Sequence, residues 1–311
     1  MHLDPTRATY YGGVHLFYAS IVCLLVWGLT SFPRGRATAK YWIWVATTLN
    51  LVIPLGAIAD RLWRAHLGWA TPLVPVGDAA AWMTHGSAAR LLLGLWALGA
   101  GSMAIRLCRR VRASGSGAGR SAERRTIPMN PAFLAQGVPV RFTDGEGGPA
   151  VDGVLRPRIS LPNGIDRLLN EEELTAVLLH EVAHAKRRDN LIRLVYEIAL
   201  CLLWFHPLVW LAGSRLALYR ELSCDEAVIR RARGRHLLAA LRKLAAPEGG
   251  GGVLLQASAS SLLTRRVAML SADVERPDRT GSALLGLCSG ALLAAGVVST
   301  IAHTACCFVS Q

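Results

Sequence analysis

His180-Glu181-Val182-Ala183-His184 sets two imidazoles four residues apart with a carboxylate beside the first. Residues at that spacing stack on one helix face. Both rings can then reach a single Zn²⁺, with Glu181 next to it as a base for water. On its own the pattern also fits a helix that carries two histidines for packing. A second polar stretch follows, Tyr219-Arg220-Glu221-Leu222-Ser223-Cys224-Asp225-Glu226-Ala227. Glu221 would complete a His₂Glu ligand set and leave one position open. Asp225, four residues on, can accept a hydrogen bond from the outer ring nitrogen of a ligand histidine and fix its tautomer. Glu226 is the alternative carboxylate, pointing about 100° away from Asp225 around a helix. A solvated acidic helix face is the plain alternative for the whole segment.

These residues need elements to position them. Asn170-Glu171-Glu172-Glu173 predicts a helix start, with Asn170 as N-cap and Glu173 closing a capping box, and the helix continues as ELTAVLLHEVAHAKRR. Upstream, VPVRFT, PAVDGVL and PRISLP change to the period of short strands between Val138 and Pro162. A strand near 137–160 could bind an extended peptide by adding it to a sheet edge. Between the two polar motifs lies LIRLVYEIALCLLWFHPLVWLAGS, which Pro207 interrupts. A zinc ligand lies about 2 Å from its metal, so Glu221 and His184 cannot sit on opposite faces of a bilayer about 30 Å thick. The 191–213 segment is therefore expected to return to its starting side as a helical hairpin, dipping into the membrane or packed at its surface. His206 beside Pro207 reads as a turn or interface residue, and Arg187 and Arg188 as helix C-terminal charges or lipid contacts.

Composition points to lipid. The 311 residues are 52% hydrophobic and only 18% charged, with 9 tryptophans. Apolar runs at about 14–30, 41–59, 86–107 and 282–302 each approach the length of a helical membrane span. The formal charge of +13 falls mainly in 109–281, outside those runs. Arg34, Arg36 and Lys40 after the first run, and the arginines after the third, put those flanks on the cytoplasmic side by the positive-inside rule. The charge does not indicate a nucleic-acid binder, because no zinc-finger spacing or recognition motif accompanies it. EGGGGVL at 248–254 lacks the G-K-[ST] ending of a phosphate loop. The 7 cysteines form neither a zinc ribbon nor a disulfide framework, and the N-terminus lacks the features of a cleaved signal peptide.

The strings GVLRPRISLP, NEEELTAVLLHEVAHAKRRDNLIRL, FHPLVWL and RELSCDEAV, in this order, resemble the membrane metallopeptidases that include the beta-lactam sensor-transducers BlaR and MecR. The likeness covers roughly residues 130–235. It implies a multi-pass α-helical membrane protein with a cytoplasmic α+β gluzincin-like zinc metallopeptidase domain. His180, His184 and Glu221 would be zinc ligands, Glu181 the catalytic base, and Asp225 the acidic residue behind a ligand histidine. Members of the family cleave themselves or help inactivate a transcriptional repressor. The implied partners are thus a protein or peptide substrate, a repressor among them, together with membrane lipids. Direct nucleic-acid contact is not expected, and a homo-oligomer is left open.

The expected organisation is a membrane region at 1–108 and a flexible basic linker at 109–130. A metallopeptidase domain at 131–281, a C-terminal span at 282–302 and an external tail at 303–311 follow. The beta-lactam sensors continue past their last span into an extracellular penicillin-binding domain. Here only the tail follows and no S-x-x-K motif occurs, so penicillin sensing by this chain alone is not expected. The competing reading is a non-proteolytic membrane signalling or scaffold protein that keeps a structural zinc site.

Overall fold

A computed structural model describes residues 5–32, 35–53, 87–116, 137–143, 148–244 and 262–271. The expected final span at 282–302, the tail, most of the 109–130 linker and the 248–254 loop lie outside the described residues.

Among the described residues three helices come first: α1 (Pro5–Ser31), α2 (Ala37–Val52) and α3 (Ser87–Ser116). Among the described residues one stretch, Leu91–Arg112 in α3, is long and apolar enough to cross a membrane. Its leucines from Leu91 to Leu98 are exposed, Leu91 at 73% and Leu98 at 75%. A continuous apolar surface of that kind suits lipid rather than water. The helix runs past the expected boundary at 107, and Arg110 in its last turns pairs with Glu197 at 2.6 Å. The apolar stretch of α1 covers His15–Ser31, and α2 ends at Val52, so the remainder of the expected 41–59 run is not described.

The strands appear where the period changes: β1 (Val140–Thr143), β2 (Ala150–Asp152) and β3 (Arg158–Pro162). They form a mixed sheet in the order β1-β3-β2, with β1 parallel and β2 antiparallel to β3. After the single turn α4 (Ile165–Leu168) comes α5 (Glu171–Arg187), which carries both histidines. Its start is the expected capping box: Asn170 accepts from the Glu173 backbone N–H at 2.8 Å, and Glu173 accepts from the Asn170 N–H at 3.0 Å.

The helix α5 ends at Arg188, whose φ of 57° is left-handed, and α6 (Asp189–Leu202) begins at once. A turn over 203–206 leads into α7 (Pro207–Ile229), where Pro207 stands in the first turn and needs no hydrogen-bond partner for its missing N–H. The two helices approach closely at Gly213, where any Cβ would collide with the Tyr196 hydroxyl. The helix α8 (Gly234–Leu244) and a further helical stretch at 262–271 complete the described fold.

Among the described residues α7 contributes to two large apolar cores and to a small cluster of Val209 with Ala199 and Leu200. Phe142, Ile159 and Leu161 of the sheet pack with Leu178 and Val182 of α5, Val228 of α7, Leu237 of α8 and Leu270. The other core joins Cys23 and Val26 of α1 to Tyr41, Trp44 and Leu51 of α2 and to Leu216 and Tyr219 of α7. Each large side chain buried in this way contributes about 1.5–3 kcal/mol. The polar stretch Glu221–Asp225 lies on α7 between these two packed ends.

Candidate metal centre

His180 and His184 lie on one face of α5, with their Nε2 atoms 3.1 Å apart. Glu221 reaches them from α7, its Oε2 3.5 Å from His180 Nε2 and 3.7 Å from His184 Nε2. Two donors about 2.05 Å from a tetrahedral zinc are about 3.3 Å apart, so this triangle has the size of one coordination face. The other carboxylate oxygen of Glu221 is held by Arg220 at 2.9 Å and 3.1 Å, which leaves Oε2 aimed at the imidazoles.

The outer ring nitrogens are both occupied. His180 Nδ1 stands 2.9 Å from Asp225 Oδ1, and His184 Nδ1 stands 2.6 Å from Asp189 Oδ2. A carboxylate only accepts, so each Nδ1 carries the hydrogen. With both rings neutral, the Nε2 lone pairs converge on Glu221 Oε2, and the Arg266 guanidinium stands 3.4 Å from His180 Nε2 and 3.5 Å from Glu221 Oε2. The cluster could hold a cation, and a borderline-soft divalent ion such as Zn²⁺ matches two imidazoles and one carboxylate.

In the metal-free site the surrounding groups favour charged histidines and carboxylates. Burial works against a proton on His180, but Asp225 and Glu221 outweigh it and push the imidazolium up to about 9. His184 is likewise burdened by burial, yet it is raised well above its ordinary value by its bonds to Asp189, Cys224 and Glu221. Burial disfavours the Glu221 carboxylate, but the two imidazoles and Arg220 hold it well below the usual carboxylate range. Asp225 and Asp189 are lowered in the same way, against their burial, by His180 with Arg266 and by Arg187 with His184. Glu181 is buried, one position round α5 from His180.

Three participants carried no sequence signal. Arg266, from the 262–271 stretch, grips Asp225 through Nε at 2.9 Å and a terminal nitrogen at 2.8 Å. The same guanidinium lies 3.5 Å from Glu221 Oε2. Asp189 meets His184 only because the left-handed Arg188 turns the chain back. In an unbroken helix a residue five positions on would point about 140° away. Arg187, read from sequence as a helix-end or lipid-facing charge, is instead an internal strut. It bonds Asp189 at 2.6 and 2.5 Å, the Arg220 carbonyl at 3.0 Å, and the Ser223 hydroxyl.

Other candidates fall elsewhere. Glu226 turns away and accepts from the Thr38 backbone N–H and hydroxyl, both at 2.9 Å. His206 stands at the start of α7, its Nε2 3.1 Å from Ser20 Oγ of α1. His184, Asp189 and Cys224 also cluster closely. The Arg187 guanidinium already lies against both Asp189 and the Cys224 sulfur, 3.1 Å from the latter, and like-charge repulsion disfavours a second cation there. The sheet edge expected to take a peptide is partly engaged as well: the Asn190 side-chain amide bonds the Val151 and Gly153 carbonyls at 2.8 and 3.0 Å, tying β2 to the start of α6.

Comparison with known proteins gives a family match over most of the chain. The family described as BlaR1 peptidase M56 matches residues 14–270. The Regulatory protein BlaR1 of Bacillus licheniformis is 40% identical over 82 residues, 26% of this chain and 14% of that protein. The Methicillin resistance mecR1 protein of Staphylococcus aureus is 24% identical over 98 residues, 32% of this chain and 17% of that protein. The chain thus aligns with less than a fifth of the length of these curated relatives.

Proposed function

The chain belongs to the BlaR1 peptidase M56 family, and from that premise we propose that it is a membrane-embedded zinc metalloendopeptidase. It cleaves a cytoplasmic or membrane-proximal protein in signal-dependent transcriptional control, with a transcriptional repressor as the partner class. The observation that carries the reading is the convergence of His180 Nε2, His184 Nε2 and Glu221 Oε2, with both Nδ1 atoms already committed to carboxylates.

A zinc ion held there would supply Lewis acidity, acidifying water and polarising the scissile carbonyl. The rest is done by the chain's own residues. His180 and His184 hold the ion through Nε2 and Glu221 through Oε2. Asp225 and Asp189 keep each imidazole in the tautomer that presents Nε2, and Arg266 and Arg187 keep those carboxylates ionised. Glu181 takes a proton from the attacking water on its carboxylate and delivers it to the leaving amine nitrogen. The exposed apolar face of α3 anchors the protein in lipid, and the α6–α7 hairpin returns its ligand to the cytoplasmic side.

The reading is tested in cells by comparing wild type with Glu181→Ala at equal membrane level and zinc content. A proteome-wide search should find at least one protein whose fragments disappear and whose intact form accumulates in the variant. Identical fragment patterns would favour the non-proteolytic signalling alternative.

A further inference from the structure

Tyr41, in the first turns of α2, donates its hydroxyl to Asp189 Oδ1 at 2.8 Å. Asp189 is the carboxylate that holds His184 Nδ1, so α2 touches the metal ligand at one remove. The carboxylate is saturated. Its Oδ1 accepts from Tyr41 and Arg187 Nε, and its Oδ2 accepts from His184 and a terminal nitrogen of Arg187. A carboxylate has about four acceptor sites, so each of these donors fixes its rotation. Tyr41 is fully buried, and its ring lies 4.0 Å beneath the Arg187 guanidinium. The hydroxyl is therefore separable from the ring: the ring packs and the hydroxyl aims Asp189.

The same end of α2 grips the other ligand-bearing helix. Thr38 donates twice to Glu226, the residue after Asp225, and Lys40 joins α2 to the end of α1 through the Thr30 carbonyl at 2.9 Å. A displacement of α2 along its axis would act on α6 at Asp189 and on α7 at Glu226 together.

We propose that Tyr41 is a positioning residue for the metal centre, orienting His184 through Asp189, so that the placement of α2 sets the geometry of the ligands. This rests on the zinc reading above. It identifies the contact by which a change in the N-terminal helices reaches the site.

The test uses the full chain purified in lipid nanodiscs. Zinc dissociation constants come from chelator competition, and ligand geometry from the visible absorption of the Co²⁺-substituted protein. Tyr41→Phe keeps the ring and removes the hydroxyl. Replacing a direct partner of a ligand typically costs 10- to 100-fold in metal affinity; one step further out, the expected loss is about 3- to 10-fold, with a displaced cobalt band. Thr47→Val is the control. Its buried hydroxyl, also on α2, bonds the Ile43 carbonyl of the same helix at 2.8 Å and leads to no ligand. It should leave both readouts unchanged. Difluorotyrosine at position 41, a stronger donor of the same shape, guards against loss of fold and should displace the cobalt band without weakening zinc. An unchanged affinity and spectrum in Tyr41→Phe, or an equal loss in Thr47→Val, would overturn the proposal while leaving the peptidase reading intact. A wild-type chain that binds no zinc would overturn both.

Discussion

Asp225 Oδ1 stands 2.9 Å from His180 Nδ1, and Asp225 is fully buried. His184 is matched by Asp189 at 2.6 Å, so each histidine has its own carboxylate and each carboxylate its own arginine. The two relays come from different parts of the chain. One spans α5, α7 and the 262–271 stretch, and the other forms at the α5–α6 junction, where Tyr41 of α2 joins it.

The first relay predicts a graded loss. Asp225→Asn should lower zinc affinity by about 10- to 100-fold, because the amide no longer selects the tautomer that points Nε2 inward. Arg266→Lys should cost less, since one contact to Asp225 survives. Chelator competition on the purified variants checks the order; equal affinities for wild type and Asp225→Asn would refute it.

Zinc binding should release protons. The imidazolium of His180 persists up to about pH 9 in the metal-free site and that of His184 is also raised, whereas the ligand forms are neutral. Titration calorimetry at pH 7.5 in buffers of different ionisation enthalpy should therefore show more than one proton leaving per zinc. For the metal-free protein the sign is opposite. A folded-state value raised above 6.5 gives stability that is complete below 6.5 and disappears as pH rises through about 9. Thermal melts of the metal-free chain should fall across that window, and a melting temperature that rises there would contradict the assignment.

Arg188 holds a left-handed conformation, with φ of 57°. A non-glycine residue is disfavoured there by roughly 1–2 kcal/mol. Arg188→Gly should raise the melting temperature, offset in part by the greater freedom of glycine in the unfolded chain. Zinc affinity should stay the same because Asp189 keeps its place. Weaker zinc binding in this variant would show that the Arg188 side chain supports the site.

The helix start at Asn170 offers a check on fold energetics. Asn170→Ala removes one half of the capping box and should cost about 1 kcal/mol in denaturant unfolding. Glu173, which Lys243 also holds at 2.7 Å, would keep its second partner.

Local signals were the legible ones. The strands at 138–162, the Asn170 cap and the stacking of His180 and His184 follow from period, cap chemistry and helical spacing, which operate over a few residues. Glu221 was legible as a carboxylate in a distinctive stretch, and the placement of Pro207 marked the hairpin that returns it. Tyr41 and Arg266 were not, because each reaches the site from a remote segment only after the two cores have packed. Asp189 was hidden for another reason: helical spacing turns it away from His184, and only the left-handed residue before it brings it back. Arg187 looked like a helix-end charge because sequence does not show that the buried Asp189, Ser223, Cys224 and Tyr41 surround it.

The proposed zinc-dependent hydrolysis depends on proton transfer by Glu181. Its most direct test is the cleavage rate of purified wild type and Glu181→Gln in nanodiscs, each loaded with one zinc per chain and assayed on a quenched-fluorescence peptide library. General acid–base groups contribute about 10²- to 10⁴-fold, so the variant should lose at least about 100-fold in rate while keeping its zinc. Equal rates at equal zinc content would rule out proton transfer by Glu181.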